Sequence, residues 1–327
     1  MRTRLIPVLL AGAAISLAVT SASAQFPGLR TADEVLADAA AYRAQLVGDT
    51  PMVSEDGFTI LGSRCGTHGL TAAEHAAADA RAAMFAANAV QPTAEALLAD
   101  PKMRRTRVPV WVHVVHDGTI GNVSNADIAA QIKVLTKSLK QHGFRFFRAG
   151  ITRTLNKKWF RKCARSAPYR KMTKNLAVDP AKNLNIYLCN PSGGVLGFAF
   201  LPGSSVTGTA RDGVVLRYST LPNGSAAPYN LGDTGTHEIG HWLGLLHTFQ
   251  GGCSDGDKIG DTPAENSPAF GCPFGRDSCP GGGVDPILNY MDYTDDSCMN
   301  SFTPDQRDRM EQQMAAFRPA IVNARLQ

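Results

Sequence analysis

The segment that most constrains the fold of this chain is the eleven-residue stretch from His237 to His247. His237 and His241 are four residues apart, so on a helix they lie one turn apart on the same face and can direct two imidazoles at one point. Gly244 can adopt the left-handed conformation that ends a helix, which lets the chain turn and deliver His247 as a third ligand. The spacing therefore predicts a helix, a glycine turn and a metal centre.

The donor set of this predicted centre indicates zinc. Imidazole nitrogen is a poor ligand for hard cations such as calcium or magnesium. Three protein ligands leave one coordination position open, as in catalytic zinc sites, and Glu238 lies beside the histidine pair, where it can hold a water molecule. The alternative is a helix whose histidines are polar surface residues.

The pattern H-E-x-x-H-x-x-G-x-x-H is the zinc-binding signature of metzincin metalloendopeptidases, and residues 235–249 resemble the pappalysin family of secreted proteases. Residues 289–293 resemble the Met-turn of that family, and residues 261–265 resemble the segment that follows its zinc helix. The N-terminal region matches only at residues 64–66, whereas the likeness runs over most of 106–327. This resemblance implies one catalytic zinc, bound by the three histidines, with Glu238 as the general base.

The resemblance also implies roles for the residues of the Met-turn. Met291 would form a hydrophobic floor beneath the metal without binding it. The Tyr293 hydroxyl would lie near the zinc and stabilise the tetrahedral intermediate; alternatively, Tyr293 is a core aromatic residue. Asp295 and Asp296 follow the turn and could favour a basic side chain in the substrate, or they could be an ordinary solvated pair.

The fold class implied is α/β (α+β), a metzincin-like catalytic domain over 106–327. Its upper lobe, 106–247, would hold a twisted, mostly parallel five-stranded sheet with a backing helix and the zinc helix; its lower lobe, 248–327, would be irregular and disulfide-linked, with a C-terminal helix. Residues 195–201 would be an edge strand that pairs with substrate, or an ordinary core strand.

Ser124 or Asn125 caps the backing helix, and Thr303 caps the last one. Apolar patterns place strands at 108–116, 144–154, 183–189, 195–201 and 213–218.

The N-terminal region predicts export and processing. Residues 1–24 have the basic start, short apolar run and small-residue cleavage site of a signal peptide, and about 15 apolar residues are too few to span a membrane. Residues 25–105 are predicted to be a partly helical pro-segment ending at a basic, protease-sensitive cluster; the alternative is an N-terminal helical domain. We therefore expect a secreted protein, extracellular or periplasmic, that is monomeric and has no membrane span.

The chain has seven cysteines, an odd number. Cys253, Cys272, Cys279 and Cys298 fall in the irregular region and allow three pairings; the resemblance favours Cys253–Cys279 and Cys272–Cys298. Cys163–Cys189 is a plausible third pair. This leaves Cys65, whose thiolate could fill the fourth zinc position until the pro-segment is cut away, as the resemblance implies. The alternative is an unpaired, inert thiol.

The charges of the chain are unevenly distributed. The loop after the zinc helix is acidic, and the resemblance implies a structural calcium ion with Asp261 and Thr262 as the better-matched ligands; a solvated acidic loop is the alternative. Asp233 occupies a position before the zinc helix where the family leads us to expect a basic residue. Residues 128–178 carry 14 Lys and Arg but no Asp or Glu, which could attract polyanions or form a solvated face. This block lacks the aromatic spacing of a single-strand binder, so no nucleic acid partner is expected.

Together these patterns predict a secreted zinc metalloendopeptidase that is made as a latent precursor and hydrolyses protein or peptide substrates. The alternative is a secreted polyanion- or surface-binding protein on a metzincin scaffold, with a structural zinc. A zinc hydrolase of a non-peptide bond is a third reading. The presence of Glu238 beside all three histidines favours the peptidase.

Overall fold

The computed structural model describes residues 64–67, 70–88, 106–164 and 166–323. The predicted signal peptide and residues 101–105 of the basic cluster at 101–107 lie outside these residues. Thr106 and Arg107, the last two residues of the cluster, are the first residues of a strand. Among the described residues no helix is both long and apolar enough to cross a membrane.

A five-stranded sheet forms the centre of the fold, in the order β2-β1-β3-β5-β4. Strands β1, β2, β3 and β5 pair in parallel, and β4 runs antiparallel to β5. This confirms the predicted mostly parallel sheet. The strands are β1 (Thr106–His116), β2 (Phe144–Leu155), β3 (Leu184–Cys189), β4 (Gly197–Phe198) and β5 (Val214–Arg217).

Alternate residues of the strands feed two apolar cores, one on each face of the sheet. On β3, Ile186 packs in the core that also contains Leu135 and Ile239, whereas its neighbour Tyr187 packs with Phe198 in the other. The helices are α1 (Ala72–Asn88), α2 (Asn125–Leu139), α3 (Lys157–Arg161), α4 (Ala167–Leu176), α5 (Asp233–Trp242), α6 (Gly252–Asp255), α7 (Pro304–Phe317) and α8 (Pro319–Asn323).

The predicted strand at 195–201 is shorter than expected. Only Gly197 and Phe198 are extended in the sheet, where they pair with Leu216 and Val215 of β5. The N-terminal segment bonds to the other edge of β4. The Leu196 N–H donates to the Arg64 carbonyl over 2.9 Å, and the Gly66 N–H donates to the Gly197 carbonyl over 2.9 Å. Residues 64–67, called the plug below, therefore extend the sheet beyond its edge strand β4.

Helices α3 and α4 interrupt a stretch for which the sequence patterns predicted no regular structure. Asn156 caps α3 by accepting from the Trp159 N–H over 2.9 Å, and Ser166 caps α4 in the same way. Nearby on the edge strand β2, Arg145, Arg148 and Arg153 are exposed. Charged side chains on an edge strand discourage pairing with other chains, which gives part of the basic block a structural role.

Residues 248–303 contain little regular structure and are held by other means. Two disulfides, Cys253–Cys279 and Cys272–Cys298, lie within this region, and a third, Cys163–Cys189, lies in the sheet-containing part. Cys65 is buried and is not in a disulfide.

Candidate metal centre

Helix α5 is buried along its whole length, and its first residues are fixed by Asp296. One oxygen of the Asp296 carboxylate accepts from the Leu231 N–H over 2.8 Å and from the Asp233 N–H over 3.3 Å. A carboxylate at this position satisfies otherwise unpaired amides and complements the helix dipole. Asp296 therefore sets the start of the helix that carries the histidine pair.

The end of α5 is set by Gly244, which has a φ of +105°. A Cβ atom at this position would lie 2.6 Å from Cγ of Gln313, so a larger residue would meet both strain and a clash. The turn at Gly244 places His247 beside the pair on the helix. This is the geometry that the spacing of the eleven-residue motif predicts.

The three histidines converge on one point. Nε2 of His241 lies 3.1 Å from Nε2 of His237 and 3.0 Å from Nε2 of His247. Each Nδ1 faces an acceptor: the carbonyl of Tyr290 at 2.7 Å, the carbonyl of Leu245 at 2.8 Å and the side-chain oxygen of Gln250 at 3.3 Å. These acceptors hold the ring proton on Nδ1 and leave three Nε2 lone pairs facing one another.

Three converging lone pairs repel one another unless a cation lies between them, so this donor set fits a metal ion. Burial lowers the pKa of His237 well below its usual value and that of His247 to about 4, which keeps both rings neutral as metal ligands must be. The Cys65 Sγ completes a group of four buried donor atoms within 4.8 Å of one another. Nitrogen and sulfur donors match zinc.

Glu238 points into the same cavity and is 1% exposed. Its Oε2 accepts from the Thr67 hydroxyl over 2.9 Å and from the Cys65 thiol over 3.4 Å. Gly197 of β4 faces it, and a Cβ atom there would lie 2.7 Å from Cγ of Glu238. The absence of a side chain at residue 197 therefore makes room for the carboxylate.

Met291 is fully buried against Gly240 of α5, where a Cβ atom would collide with its sulfur. Its N–H donates to the Asn289 side chain over 2.9 Å, and the Asn289 amide donates in turn to Gln306 of α7 over 2.9 Å. The Thr248 N–H donates to the Met291 carbonyl over 3.3 Å. The turn around Met291 is thus tied to both the C-terminal helix and the segment that carries His247.

Tyr293 is 2% exposed, and its hydroxyl lies 3.2 Å from Nε2 of His247. Burial raises the pKa of this phenol well above its usual value, so the hydroxyl keeps its proton and can donate a hydrogen bond. The side chain is both packed among aromatic rings and directed at the metal-binding cavity. Its position is compatible both with a hydroxyl that stabilises the tetrahedral intermediate and with a core aromatic residue.

The plug crosses the front of this cavity. Cys65 pairs in parallel with Gly197, and burial, followed by the nearby Glu238 charge, raises the pKa of its thiol. The Thr67 hydroxyl accepts from the Ala199 N–H over 2.8 Å while it donates to Glu238. The plug therefore brings a thiol to the metal-binding point and a hydroxyl to the carboxylate.

Arg64 of the plug occupies a pocket beside the cavity. Its guanidinium donates to the Thr294 carbonyl over 2.5 Å, lies 4.0 Å from the centre of the Tyr229 ring and is 3.8 Å from the Asp296 carboxylate. Asp296 is thus the member of the Asp295–Asp296 pair that faces this basic side chain, whereas Asp295 forms backbone hydrogen bonds with Gly271 and Cys298.

Asp233 lies in the same pocket. It is 8% exposed, and its carboxylate accepts from the Thr236 hydroxyl over 3.1 Å. Burial, followed by the charge of Asp296, raises the pKa of Asp233 to about 7, while Lys137 and Arg64 act in the opposite direction. The pocket is therefore lined by two carboxyl groups, Asp233 and Asp296. At position 233 the sequence resemblance led us to expect a basic residue.

The two expected calcium ligands have other partners. Asp261 accepts from the Asp305 N–H at the start of α7 over 3.0 Å. The Thr262 hydroxyl donates to Asp257 over 2.6 Å, and Asp257, which is 3% exposed, has a second carboxylate oxygen with no hydrogen-bond partner among the described residues. Burial raises the pKa of Asp257 to about 6.

Several residues that shape the cavity were not singled out by the sequence analysis. Thr67 and Gly197 have no signal that a single sequence could reveal, since each acts through a neighbour far away in the chain. Gln306 completes the cap of α7 with Thr303 and also contacts Asn289 beside Met291.

Comparison with known proteins places this geometry in a family. The M43 peptidase family model, described as pregnancy-associated plasma protein-A, matches residues 168–315. Extracellular metalloprotease 1 of Coccidioides posadasii is 45% identical over 218 residues, which cover 64% of this chain and 78% of that protein. An extracellular metalloprotease of Pyricularia oryzae is also 45% identical over 218 residues, covering 64% and 76%.

Solved structures of proteases are also similar to this chain. Mature mirolysin of Tannerella forsythia, in complex with a cleaved peptide, has a TM-score of 0.60 and 32% identity, covering 68% of this chain and 97% of that one. A promirolysin mutant of the same organism has a TM-score of 0.63 and 29% identity, covering 77% and 90%.

The sheet, the buried histidine cluster and these likenesses define a metzincin-like protein, a secreted zinc metalloendopeptidase that acts on peptide substrates and uses a catalytic zinc ion. The chain belongs to the pappalysin family.

Proposed function

We propose that His237, His241 and His247 hold the catalytic zinc and that Glu238 is the general base for peptide-bond hydrolysis, within a catalytic domain spanning 106–327. The observation that carries this proposal is the convergence of the three Nε2 atoms, each on a ring whose Nδ1 is fixed by an acceptor. Glu238, buried beside that point, supports the same assignment.

When bound, zinc lowers the pKa of a coordinated water and polarises the carbonyl of the scissile bond. Glu238 accepts a proton from the attacking water and passes it to the nitrogen of the leaving amine. The Tyr293 hydroxyl, held near His247, donates a hydrogen bond to the oxygen that gains negative charge. Met291 contributes the apolar floor, and Gly244 the turn that positions His247.

The enzyme is proposed to be made as a latent precursor with a signal peptide at 1–24 and a pro-segment at 25–105. The plug supports this, because it covers both the metal-binding point and Glu238. The promirolysin match, which covers 77% of this chain against 68% for mature mirolysin, supports it too. We expect export to the periplasm or the exterior, action as a monomer, and no nucleic acid partner.

Cys65 is proposed to be the fourth zinc ligand of the latent form. Replacing zinc by cobalt in the full chain tests this, because a thiolate bound to cobalt produces an intense near-ultraviolet absorption that nitrogen and oxygen ligands do not. We expect that band in the wild-type precursor and its loss in Cys65→Ser. If both proteins have the same spectrum, Cys65 is not a ligand.

The pocket that holds Arg64 is proposed to select a basic side chain in the substrate. Asp296 supplies the charge that faces this side chain, with Asp295 contributing through the backbone of the same loop. The basic pair Arg104-Arg105 would then permit self-processing. Substrates that differ only by Arg or Leu next to the cleaved bond test this, and equal kcat/KM values would contradict it.

A structural calcium ion is proposed at the loop after α5, with Asp261 and Thr262 as candidate ligands. The unpartnered, buried oxygen of Asp257 beside the Thr262 hydroxyl supports a cation there. We expect added calcium to raise the melting temperature of the wild type and of Asp255→Asn, an exposed neighbour, but not that of Asp257→Asn. An unchanged wild-type melting temperature would contradict the site.

The activity itself is tested on processed protein with a casein substrate. A zinc chelator should abolish cleavage, and stoichiometric zinc should restore it. Cleavage that persists after the metal has been removed would overturn the proposed mechanism.

A further inference from the structure

The N-terminal region makes a second contact with the catalytic domain, away from the metal-binding cavity. Helix α1 begins at the capping box of Thr71 and Glu74 and packs along α7, the C-terminal helix. Ala78 and Ala82 of α1 are 5% and 2% exposed, while Met84 on its outer side is 66% exposed. One small-residue stripe of α1 is therefore buried against the domain.

The steric fit between α1 and the domain is close. A Cβ atom at Gly203, which has a φ of +84°, would lie 2.9 Å from Cβ of Ala78 and 3.3 Å from the Phe317 ring. The absence of a side chain at residue 203 thus admits Ala78, and little space remains for a larger residue on either side.

Polar contacts flank this small-residue stripe. The Asp79 carboxylate lies 2.9 Å from the Arg309 guanidinium and accepts from the Gln313 amide over 3.2 Å. Arg81 donates to the Ala316 carbonyl over 3.1 Å, and its guanidinium lies 4.7 Å from the centre of the Phe317 ring. All of these partners lie on one face of α7, so α1 recognises that face by both shape and charge.

Two properties favour binding of α1 even without a covalent link. The helix is rich in alanine, the residue with the highest helix propensity, so ordering it costs less than ordering a typical segment. The plug and α1 are also close in sequence, so binding of one raises the effective concentration of the other.

We propose that the α7 face formed by Arg309, Gln313, Ala316 and Phe317, with Gly203, is a binding site for α1 that persists after the chain is cut. Residues 64–88 then remain bound as a two-part inhibitor, with the plug in the cavity and α1 on α7. A cut between residues 88 and 106 alone does not open the active site; the excised fragment must dissociate or be cut again. This inference rests on the proposed pro-segment and zinc site.

The test uses the full secreted chain with the recognition sequence of a site-specific protease inserted after Glu95. After cutting, gel filtration follows retention of the fragment, and hydrolysis of a fluorogenic peptide is measured over serial dilutions. We expect the wild-type fragment to co-elute with the catalytic domain at micromolar protein concentration. Peptidase activity should appear only when the cut protein is diluted.

Ala78→Leu and Ala83→Leu form a matched pair, because both add the same side chain to α1 but residue 83 is exposed. Ala78→Leu should raise the protein concentration at which half of the activity appears about tenfold, and Ala83→Leu should leave it unchanged. Arg81→Ala, a milder variant, should raise it severalfold. Immediate loss of the wild-type fragment on cutting, or equal midpoints for the two leucine variants, would overturn the proposal.

The outcome is separable from that of the proposed function. If the zinc assignment is wrong, protein freed of its fragment under denaturing conditions and refolded shows no peptidase activity. Gel filtration of the cut protein does not depend on catalysis, so comparing fragment retention in Ala78→Leu and Ala83→Leu still reports whether α1 holds the fragment on α7.

Discussion

The regions 106–247 and 248–303 maintain their structure by different means. The first region contains a sheet with buried central strands, and its helices pack against that sheet in two apolar cores. The second has almost no regular elements and depends on two disulfides and on buried charges. The difference separates the parts of the active site. Apolar packing on the sheet places the histidine pair and Glu238. Met291 packs into the same apolar core, but together with Tyr293 it lies in a loop that polar contacts and disulfides also hold.

The buried charges of the second region form a connected network. Arg276 lies 2.7 Å from Asp285 and also contacts Glu265, which accepts from the Thr248 hydroxyl over 2.8 Å. Burial raises the pKa values of Glu265 and Asp292, and each carboxylate is close enough to affect the other. The position of the segment after His247 therefore depends on charge pairing, which is more sensitive to conditions than apolar packing.

The largest effect is expected at the helix of the first region. Glu238→Gln keeps the shape of the side chain but removes the base, so kcat should fall by about 10² to 10⁴-fold while the melting temperature stays near that of the wild type. Peptide hydrolysis measures kcat, and thermal unfolding measures the melting temperature. Glu311→Gln, on the exposed side of α7, is the control and should retain full activity. A Glu238→Gln enzyme with wild-type turnover would remove this residue from the mechanism.

Two disulfides offer a matched comparison between the regions, since Cys163–Cys189 and Cys272–Cys298 both have a sequence separation of 26 residues. Replacing either pair by alanines should lower the free energy of unfolding by about 3 kcal/mol, because each closes a loop of the same length in the unfolded chain. Denaturant unfolding measures this loss.

Activity should separate the same two variants. Loss of Cys163–Cys189 leaves an apolar core around the gap, so kcat/KM below the unfolding transition should stay within about twofold of wild type. Loss of Cys272–Cys298 frees the loop that carries Asp295 and Asp296, and kcat/KM should fall about tenfold. Equal activities in the two variants would contradict the contrast between the regions.

The smallest effect concerns pH at the pocket between the two regions. Because the pKa of Asp233 is raised to about 7, its carboxyl is neutral below that pH and negatively charged above it. The ratio of kcat/KM for Arg over Leu substrates should therefore rise about fivefold from pH 6 to pH 8, since one added charge is worth about 1 kcal/mol to a nearby cation. The ratio cancels ionisations at the zinc and Glu238. In Asp233→Asn, the Arg-over-Leu ratio of kcat/KM should no longer change with pH. A wild-type ratio that falls as the pH rises would contradict the ionisation of Asp233 in this pocket.

Much of the first region could be predicted from local patterns. The alternation in β1, the Ser124 cap of α2 and the spacing of the histidine motif are signals carried by neighbouring residues, and the structure has the corresponding elements. The caps Asn156 and Ser166 were equally local signals for α3 and α4, but the many charges around them concealed the two helices.

The remaining features depend on contacts between distant parts of the chain. The Thr67 hydroxyl meets Glu238 across 171 positions, and Arg64 meets Thr294 across 230. No local periodicity encodes such pairs. The length of β4 is also not a local property: the apolar run at 195–201 suggests a full strand, but only Gly197 and Phe198 pair with β5, and the run itself does not encode that register.

The central claim is that one zinc ion joins the two histidines of α5 to His247, which the turn at Gly244 delivers. Measuring zinc per chain by mass spectrometry in Glu238→Gln and His247→Ala, after dialysis against a weak chelator, tests it most directly. The account predicts one zinc per chain in Glu238→Gln and almost none in His247→Ala. Retention of a full zinc equivalent by His247→Ala would contradict it.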